Sequence, residues 1–251
     1  MQMPWRADGC QEKNDLNLMR KQAYMNWKLF ALAMVLMTSS ITASAQDSRS
    51  VIRDQISEWG SCRNVTLTMT GGDLALNGRN SCVCPDVPVG LALELATLQE
   101  DDEYIDDVQL TEDGCWLILY GDNGFVWEEL DPDLEQQLRE YNDEAEVVTS
   151  VAFNDQGEWI VISSDHVSAS SDELTEWIQE GIEKFGQLWT AHMTDDAVML
   201  CFENGYRYRG DVPENLLDTL RETDIDVYRV KFTSDGSYFI ADVDGTYDYY
   251  M

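Results

Sequence analysis

Few side chains in this sequence are spaced for chemistry, and the spacing says more about binding than about catalysis. The run Asp242-x-Asp244-Gly-x-x-Asp248 gathers carboxylates close together, as does Gly121-Asp122-Asn123-Gly124. Clustered hard oxygens suit calcium, so Asp242, Asp244 and Asp248 form the candidate metal set, and calcium is the one cofactor the sequence suggests. A full calcium loop supplies about six to eight oxygens, ending in a late bidentate carboxylate. These segments are shorter and also read as tight turns, for which Asp, Asn and Gly are favoured.

Catalytic groups are sparse. The two histidines, His166 and His192, stand beside no nucleophile motif. Neither a Gly-x-Ser-x-Gly elbow, a His-Glu-x-x-His pair, a phosphate-binding Gly-x-x-x-x-Gly-Lys loop nor a dinucleotide fingerprint occurs. No catalytic residue is assigned. Carboxylates are plentiful enough for a glycosidase-like acid pair, but such a pair must flank a substrate and no spacing singles one out. A non-enzymatic binding protein is therefore the first reading, with a carboxylate-dependent, calcium-assisted hydrolase as the alternative.

The binding candidates are aromatic. Phe125 and Trp127 align with Tyr206 and Tyr208 in two copies of an internal repeat. A stripe of such rings could stack on a glycan or a peptide, since each ring combines a large contact area with a polar edge. Packing between repeat units is the competing explanation.

Charge narrows the partners. The chain holds 16 basic and 48 acidic residues, a formal net charge of −32. Basic residues Arg20, Lys21 and Lys28 precede an apolar run from Leu29 to Met37 and the small triplet Ala43-Ser44-Ala45. That order is the grammar of a secretory signal peptide cleaved after Ala45, because the run is shorter than the roughly 20 apolar residues a membrane helix needs. Residues 1–45 read as leader and signal peptide, and residues 46–251 as a secreted or periplasmic repeat domain without membrane insertion. The leader carries five basic and three acidic residues, so the mature chain has 11 against 45, or −34. Such a surface disfavours nucleic acid and anionic lipid and favours cationic partners.

Five cysteines come after the leader, an odd number in an oxidising compartment. A hairpin turning at Gly71-Gly72 would place residue 62 opposite about residue 81, so a disulfide from Cys62 to Cys82 or Cys84 is expected. Cys201 reads as a buried thiol.

What must position these groups is a repeat of about forty residues. Val108–Ile118, Val151–Val161, Ala191–Cys201 and Val230–Ile240 share a strand, a polar turn and a second strand. Turn positions 114, 157, 197 and 236 are 43, 40 and 39 residues apart, and three of them are Gly. Ala197 breaks the pattern, so its turn should differ. Short third strands come next, and helical segments with Leu130, Leu134 and Leu138, or Leu174, Ile178 and Ile182, lie between the hairpins.

The fold expected is α+β: five tandem helix-plus-antiparallel-hairpin units at about 47–85, 86–128, 129–170, 171–210 and 211–251. So small a unit cannot bury a core alone, so neighbours must share one, in an open stack or a closed ring. Val230-Lys-Phe-Thr-Ser-Asp-Gly236 resembles a β-propeller blade segment of WD-repeat and TolB-like proteins, which implies a five-bladed ring as the alternative fold. No Trp-Asp dipeptide ends a unit, and a helix stands where a fourth strand belongs. Asp113-Gly114-Cys-Trp116, Gly121-Asp-Asn-Gly124-Phe125 and the Pro132 helix together resemble uncharacterised secreted bacterial repeat proteins, a likeness that implies no activity. A protein- or glycan-binding role at the cell envelope or exterior is the resulting expectation.

Overall fold

The computed structural model describes residues 48–251. The leader, the signal peptide and the cleavage point after Ala45 lie outside the described residues. Within the described residues, five helices and five three-stranded antiparallel sheets alternate along the chain. The first unit is α1 (Ser48–Trp59) with β1 (Asn64–Thr66), β2 (Leu74–Asn77) and β3 (Ser81–Val83); the second is α2 (Val89–Glu100) with β4 (Ile105–Leu110), β5 (Trp116–Tyr120) and β6 (Gly124–Glu128). The third is α3 (Pro132–Asp143) with β7 (Val148–Phe153), β8 (Trp159–Ser163) and β9 (Val167–Ala169). The fourth is α4 (Asp172–Phe185) with β10 (Leu188–Met193), β11 (Ala197–Phe202) and β12 (Gly205–Gly210), and the last is α5 (Glu214–Glu222) with β13 (Arg229–Phe232), β14 (Tyr238–Ala241) and β15 (Tyr247–Tyr250). Among the described residues, no helix is long and apolar enough to cross a membrane.

Local chemistry sets the helix starts. The Asp131 carboxylate accepts from the amides of Asp133 and Leu134 ahead of Pro132, and the Ser171 hydroxyl accepts from Leu174. Both caps satisfy donors that the helix itself cannot.

Packing is shared between units. Leu91, Leu95 and Leu98 of α2 sit between Leu74 and Leu76 of the first sheet and Trp116 and Ile118 of the second. On the other face of that second sheet, Leu117 and Leu119 meet Leu134 and Leu138 of α3. Each sheet is thus covered on both faces by helices, its own and the next unit's, which is why its strands carry near-continuous apolar runs. The same arrangement recurs around α4 and α5. In a fifth cluster, Ile52 and Ile56 of α1 pack against Val65 and Ala75 and also against Phe239 and Ala241 of the last sheet. Arg49 donates to Asp235 at 2.7 Å and Arg53 to the Met251 carbonyl at 2.7 Å, so the last unit is tied to the first.

The turn in the fourth unit differs by length. In the second, third and fifth units the residue just past the first strand donates its amide to the carbonyl four positions on, Thr111 to Cys115, Asn154 to Glu158 and Thr233 to Ser237, and Gly114, Gly157 and Gly236 take positive φ. The fourth copy closes from Thr194 to Ala197, one residue sooner. Register pairs Met193 with Val198 as Leu110 pairs with Trp116. The glycine is deleted rather than replaced, and Val198, not Met199, corresponds to Trp116. A tighter turn needs no left-handed residue there.

Register corrects the expected disulfide. Asn64 opposes Leu76, so residue 62 falls opposite about residue 78, three residues from the expected 81, because the connection from Leu67 to Asp73 is a longer loop. Asp73 accepts from the Thr68 amide, and the Thr68 hydroxyl accepts from Gly72, which holds that loop. The strand carrying Cys82 lies beyond β2, facing Leu76. Cys62 packs in the cluster of α1, whereas Cys82 and Cys84 pack with α2 on the opposite face of the sheet. All five described cysteines are free thiols, and Cys62 bridges neither Cys82 nor Cys84.

Candidate functional site: the junction of the first strands

The first strands of the five sheets meet one another in order: β1 contacts β4, β4 contacts β7, β7 contacts β10, β10 contacts β13, and β13 contacts β1. Ordinary ladder hydrogen bonds do not join them. Side chains do: the Thr66 hydroxyl donates to the Val108 carbonyl at 2.6 Å, Thr190 to Tyr228 at 2.6 Å, and the His192 Nε2–H to Phe232 at 2.8 Å. In β4, β7 and β10 the pairing slips near the strand start, between Ile105 and Asp107, Val148 and Ser150, and Leu188 and Thr190. Such a bulge re-aims the side chains beyond it. In the second unit it turns Asp107 into the junction while Asp106 stays at its edge.

Asp107 is the hub. Its carboxylate accepts from Asn64 and, at 2.7 Å, from Gln109, and it lies 3.6 Å from Arg229 Nη1 and 3.8 Å from Lys231 Nζ. Burial works to raise this carboxyl, but Lys231 and Arg229 together hold it below the usual carboxylate range. Lys231 is pushed down to about 8 by burial, which Asp107 offsets in part. Burial and nearby Lys231 lower His192 to about 3, so its ring is neutral; with Nε2 donating, Nδ1 is left as an acceptor. Lys231 Nζ, Arg229 Nη1, His192 Nδ1 and Asn64 Oδ1 are buried without a hydrogen bond. Two buried cations face one buried carboxylate, an arrangement that costs stability.

A recess of about 160 Å³ opens at the end of the junction where the first strands begin, lined by Arg63, Tyr104, Asp106, Tyr228, Arg229, Asp242 and Val243. The Arg63 guanidinium lies 4.6 Å over the Tyr104 ring and donates to the carbonyls of Asp106 and Gly78, so it is a fixed wall. Burial raises the Asp106 carboxyl despite nearby Arg229, and no described residue donates to it. Tyr104, Val243 and, at the matching position of the third unit, Val147 are exposed around this end. At the opposite end a cavity of about 40 Å³ is lined by Gln109, His192 and Lys231 and by the strand turns. Carboxylates there are already engaged: Glu112 accepts from Met69, Asp155 from Asp113, and Asp195 from Asp155.

The aromatic candidates fall elsewhere. Phe125 and Trp127 stack at 5.4 Å on β6 and pack into the α3 cluster, with Arg139 5.0 Å over Trp127. Tyr206 and Tyr208 stack at 6.4 Å on β12; Tyr206 packs toward α5, while Tyr208 is 41% exposed beside Lys184 and Arg207. The two pairs sit on the second and fourth sheets with the third unit between them, so they form no continuous stripe. Nor do Asp242, Asp244 and Asp248 converge. Asp242 accepts from the amides of Asp244 and Thr246 within its own turn, and Asp248 accepts from Tyr249. Among the described residues no three His, Cys, Asp or Glu side chains gather for a metal ion. His166 lies 2.7 Å from Glu146 at a turn.

Asp107, Arg229 and Lys231 were not singled out from sequence, although a signal was present. Arg229 and Lys231 alternate with Val230 and Phe232 on a strand whose neighbours are apolar on both faces. Charges on such a strand require an interior polar partner.

No family model and no curated protein matches this chain. Among solved structures, one described as YCF48 bound to D1 peptide aligns over 73% of this chain at 13% identity, with a TM-score of 0.26. The alignment spans 49%, about half, of that chain's length.

Proposed function

We propose that this is an exported, non-enzymatic repeat protein whose five units close into a ring and which binds a protein or glycan partner of the cell envelope or exterior. Closure is supported by the fifth cluster, in which α1 packs between the first and last sheets. Export rests on the sequence of residues 20–45. The observation that carries the binding reading is the recess at the start of the first strands, where Tyr104 and Val243 stand exposed over Asp106 and Tyr228. Apolar and aromatic groups around a few inward polar ones are what ligand sites are made of. The acidic surface favours a basic protein segment over an anionic glycan.

Capture from an envelope extract on immobilised residues 46–251, run beside a glycan panel, tests this. The wild type should retain a partner that Tyr104→Ala combined with Asp106→Asn loses at unchanged thermal stability. Equal retention by both would remove the recess as the site, and silence in both assays would remove the binding reading.

One observation favours a second reading, the carboxylate-dependent hydrolase. Asp106 and Asp242 line the same recess; burial raises the first, while the second, despite burial, is held down by the hydrogen bonds of its turn. Oppositely tuned carboxylates suit acid–base work. Turnover of any glycoside or ester that Asp106→Asn abolishes would establish it.

A further inference from the structure

We propose that Cys82 and Cys84 form a redox-active dithiol that small disulfides oxidise to an intramolecular Cys82–Cys84 disulfide and that small thiols reduce again. Cys82 lies on the third strand of the first sheet, an edge position in the order β1-β2-β3, and Cys84 follows two residues on, just past the end of that strand at Val83. Side chains two apart on a strand share a face, and both pack, half-buried, against the α2 cluster. Two extended residues span about 6.7 Å, the upper end of the roughly 4.4–6.8 Å between Cα atoms that a disulfide bridges. The missing contraction is available locally. The ladder pairs Ser81, Cys82 and Val83 with Asn77, Leu76 and Ala75 and then ends, so Cys84 is unpaired and precedes Pro85. Cys84 can swing toward Cys82 without breaking a sheet hydrogen bond. A bridge formed at that limit retains strain and should be readily reduced.

Among the described residues, the other cysteines are poor competitors. Cys62 and Cys201 are 0% and 1% exposed, and burial pushes each thiol up to about 12. Cys115 is raised by burial with neighbouring carboxylates, and it packs in a different cluster from every other described cysteine. At the pair itself, the interaction with Cys82 lowers the Cys84 thiol, while the same interaction and burial raise Cys82. Cys84, which lies past the end of the ladder while Cys82 is held opposite Leu76, is the attacking thiolate, and Cys82 is the resolving thiol.

The exchange balances. Cys84 thiolate attacks a glutathione disulfide sulfur, forming a mixed disulfide and releasing one glutathione thiolate. Cys82, giving up its proton, then attacks the Cys84 sulfur and releases the second. Two protein thiols are oxidised and one glutathione disulfide is reduced to two glutathiones.

The test uses the reduced full chain, treated with glutathione disulfide and mapped by peptide mass without reductant. The peptide holding both cysteines should lose two hydrogens and carry no glutathione. Cys82→Ser should stop at a glutathione adduct on Cys84, and Cys84→Ser should react at Cys82 at least about tenfold more slowly. Circular dichroism of each variant separates chemistry from misfolding, and the wild-type result stands without the variants. A persistent glutathione adduct on the wild-type pair, a bridge that includes Cys62, or reaction confined to Cys115 would overturn the proposal.

Discussion

Lys231 reaches from the last sheet to Asp107 in the second, with Nζ 3.8 Å from Oδ1 and each side chain 2% exposed. Arg229 approaches the same oxygen at 3.6 Å. Removing the carboxylate strands Lys231 and leaves Arg229 with only the half-buried Asp106 nearby. Asp107→Asn should therefore cost about 3–5 kcal/mol in urea unfolding, the range for breaking a buried pair from one side. Lys231→Met should cost far less or stabilise, since it removes the excess cation and leaves the Arg229 pairing. A loss for Lys231→Met as large as that for Asp107→Asn would show the pair to be a net stabiliser instead.

Acid should destabilise the fold before its exposed carboxylates titrate. The folded His192 is held near 3 by burial and Lys231, against 6.5 when unfolded. As pH falls through about 6.5 the unfolded chain binds a proton that the folded chain refuses, so the stability present above that pH is lost progressively toward about 3. His192→Gln, which keeps a donor toward the Phe232 carbonyl, should flatten the pH dependence of unfolding free energy between these limits. An unchanged slope would mean that the ring protonates in place.

Ile56 tests the proposed ring closure. It is fully buried between the first and last sheets. Ile56→Ala should cost about 2–5 kcal/mol, and hydrogen exchange should quicken in Tyr238–Ala241 as well as in Leu74–Asn77. If the last sheet keeps its protection while the first loses it, the two ends of the chain are not one packed unit.

The aromatic pairs should divide by burial. Trp127→Ala empties the contact with α3 and Arg139 and should destabilise by roughly 2–3 kcal/mol, somewhat below the fully buried case. Tyr208→Ala should stay within about 1 kcal/mol of wild type. Comparable losses in thermal melts would place both in the core.

The repeat was legible in the sequence because strand alternation, turn glycines and helical periodicity are local properties that each copy restates. Leu134 and Leu138 on one helical face, or Trp116 and Ile118 on one strand face, need no partner to be recognised. The deleted glycine before Ala197 was misplaced by one position for the same reason: an alignment by sequence substitutes where cross-strand pairing shows a gap.

By itself, then, the sequence determined the acidic composition, the absence of recognised catalytic motifs and a unit of one helix with antiparallel strands. Tertiary structure decided everything that depends on which units meet. It placed α1 against Phe239, gathered Asn64, Asp107, Arg229 and Lys231 from three sheets, and put Tyr104 beside Tyr228 in one recess. It also separated Cys62 from Cys82 and left Asp242 to its own turn. The physical reason is that periodicity specifies which face of an element is buried, whereas a charge cluster or a pocket is made by residues scattered along the chain whose proximity arises only when the units pack.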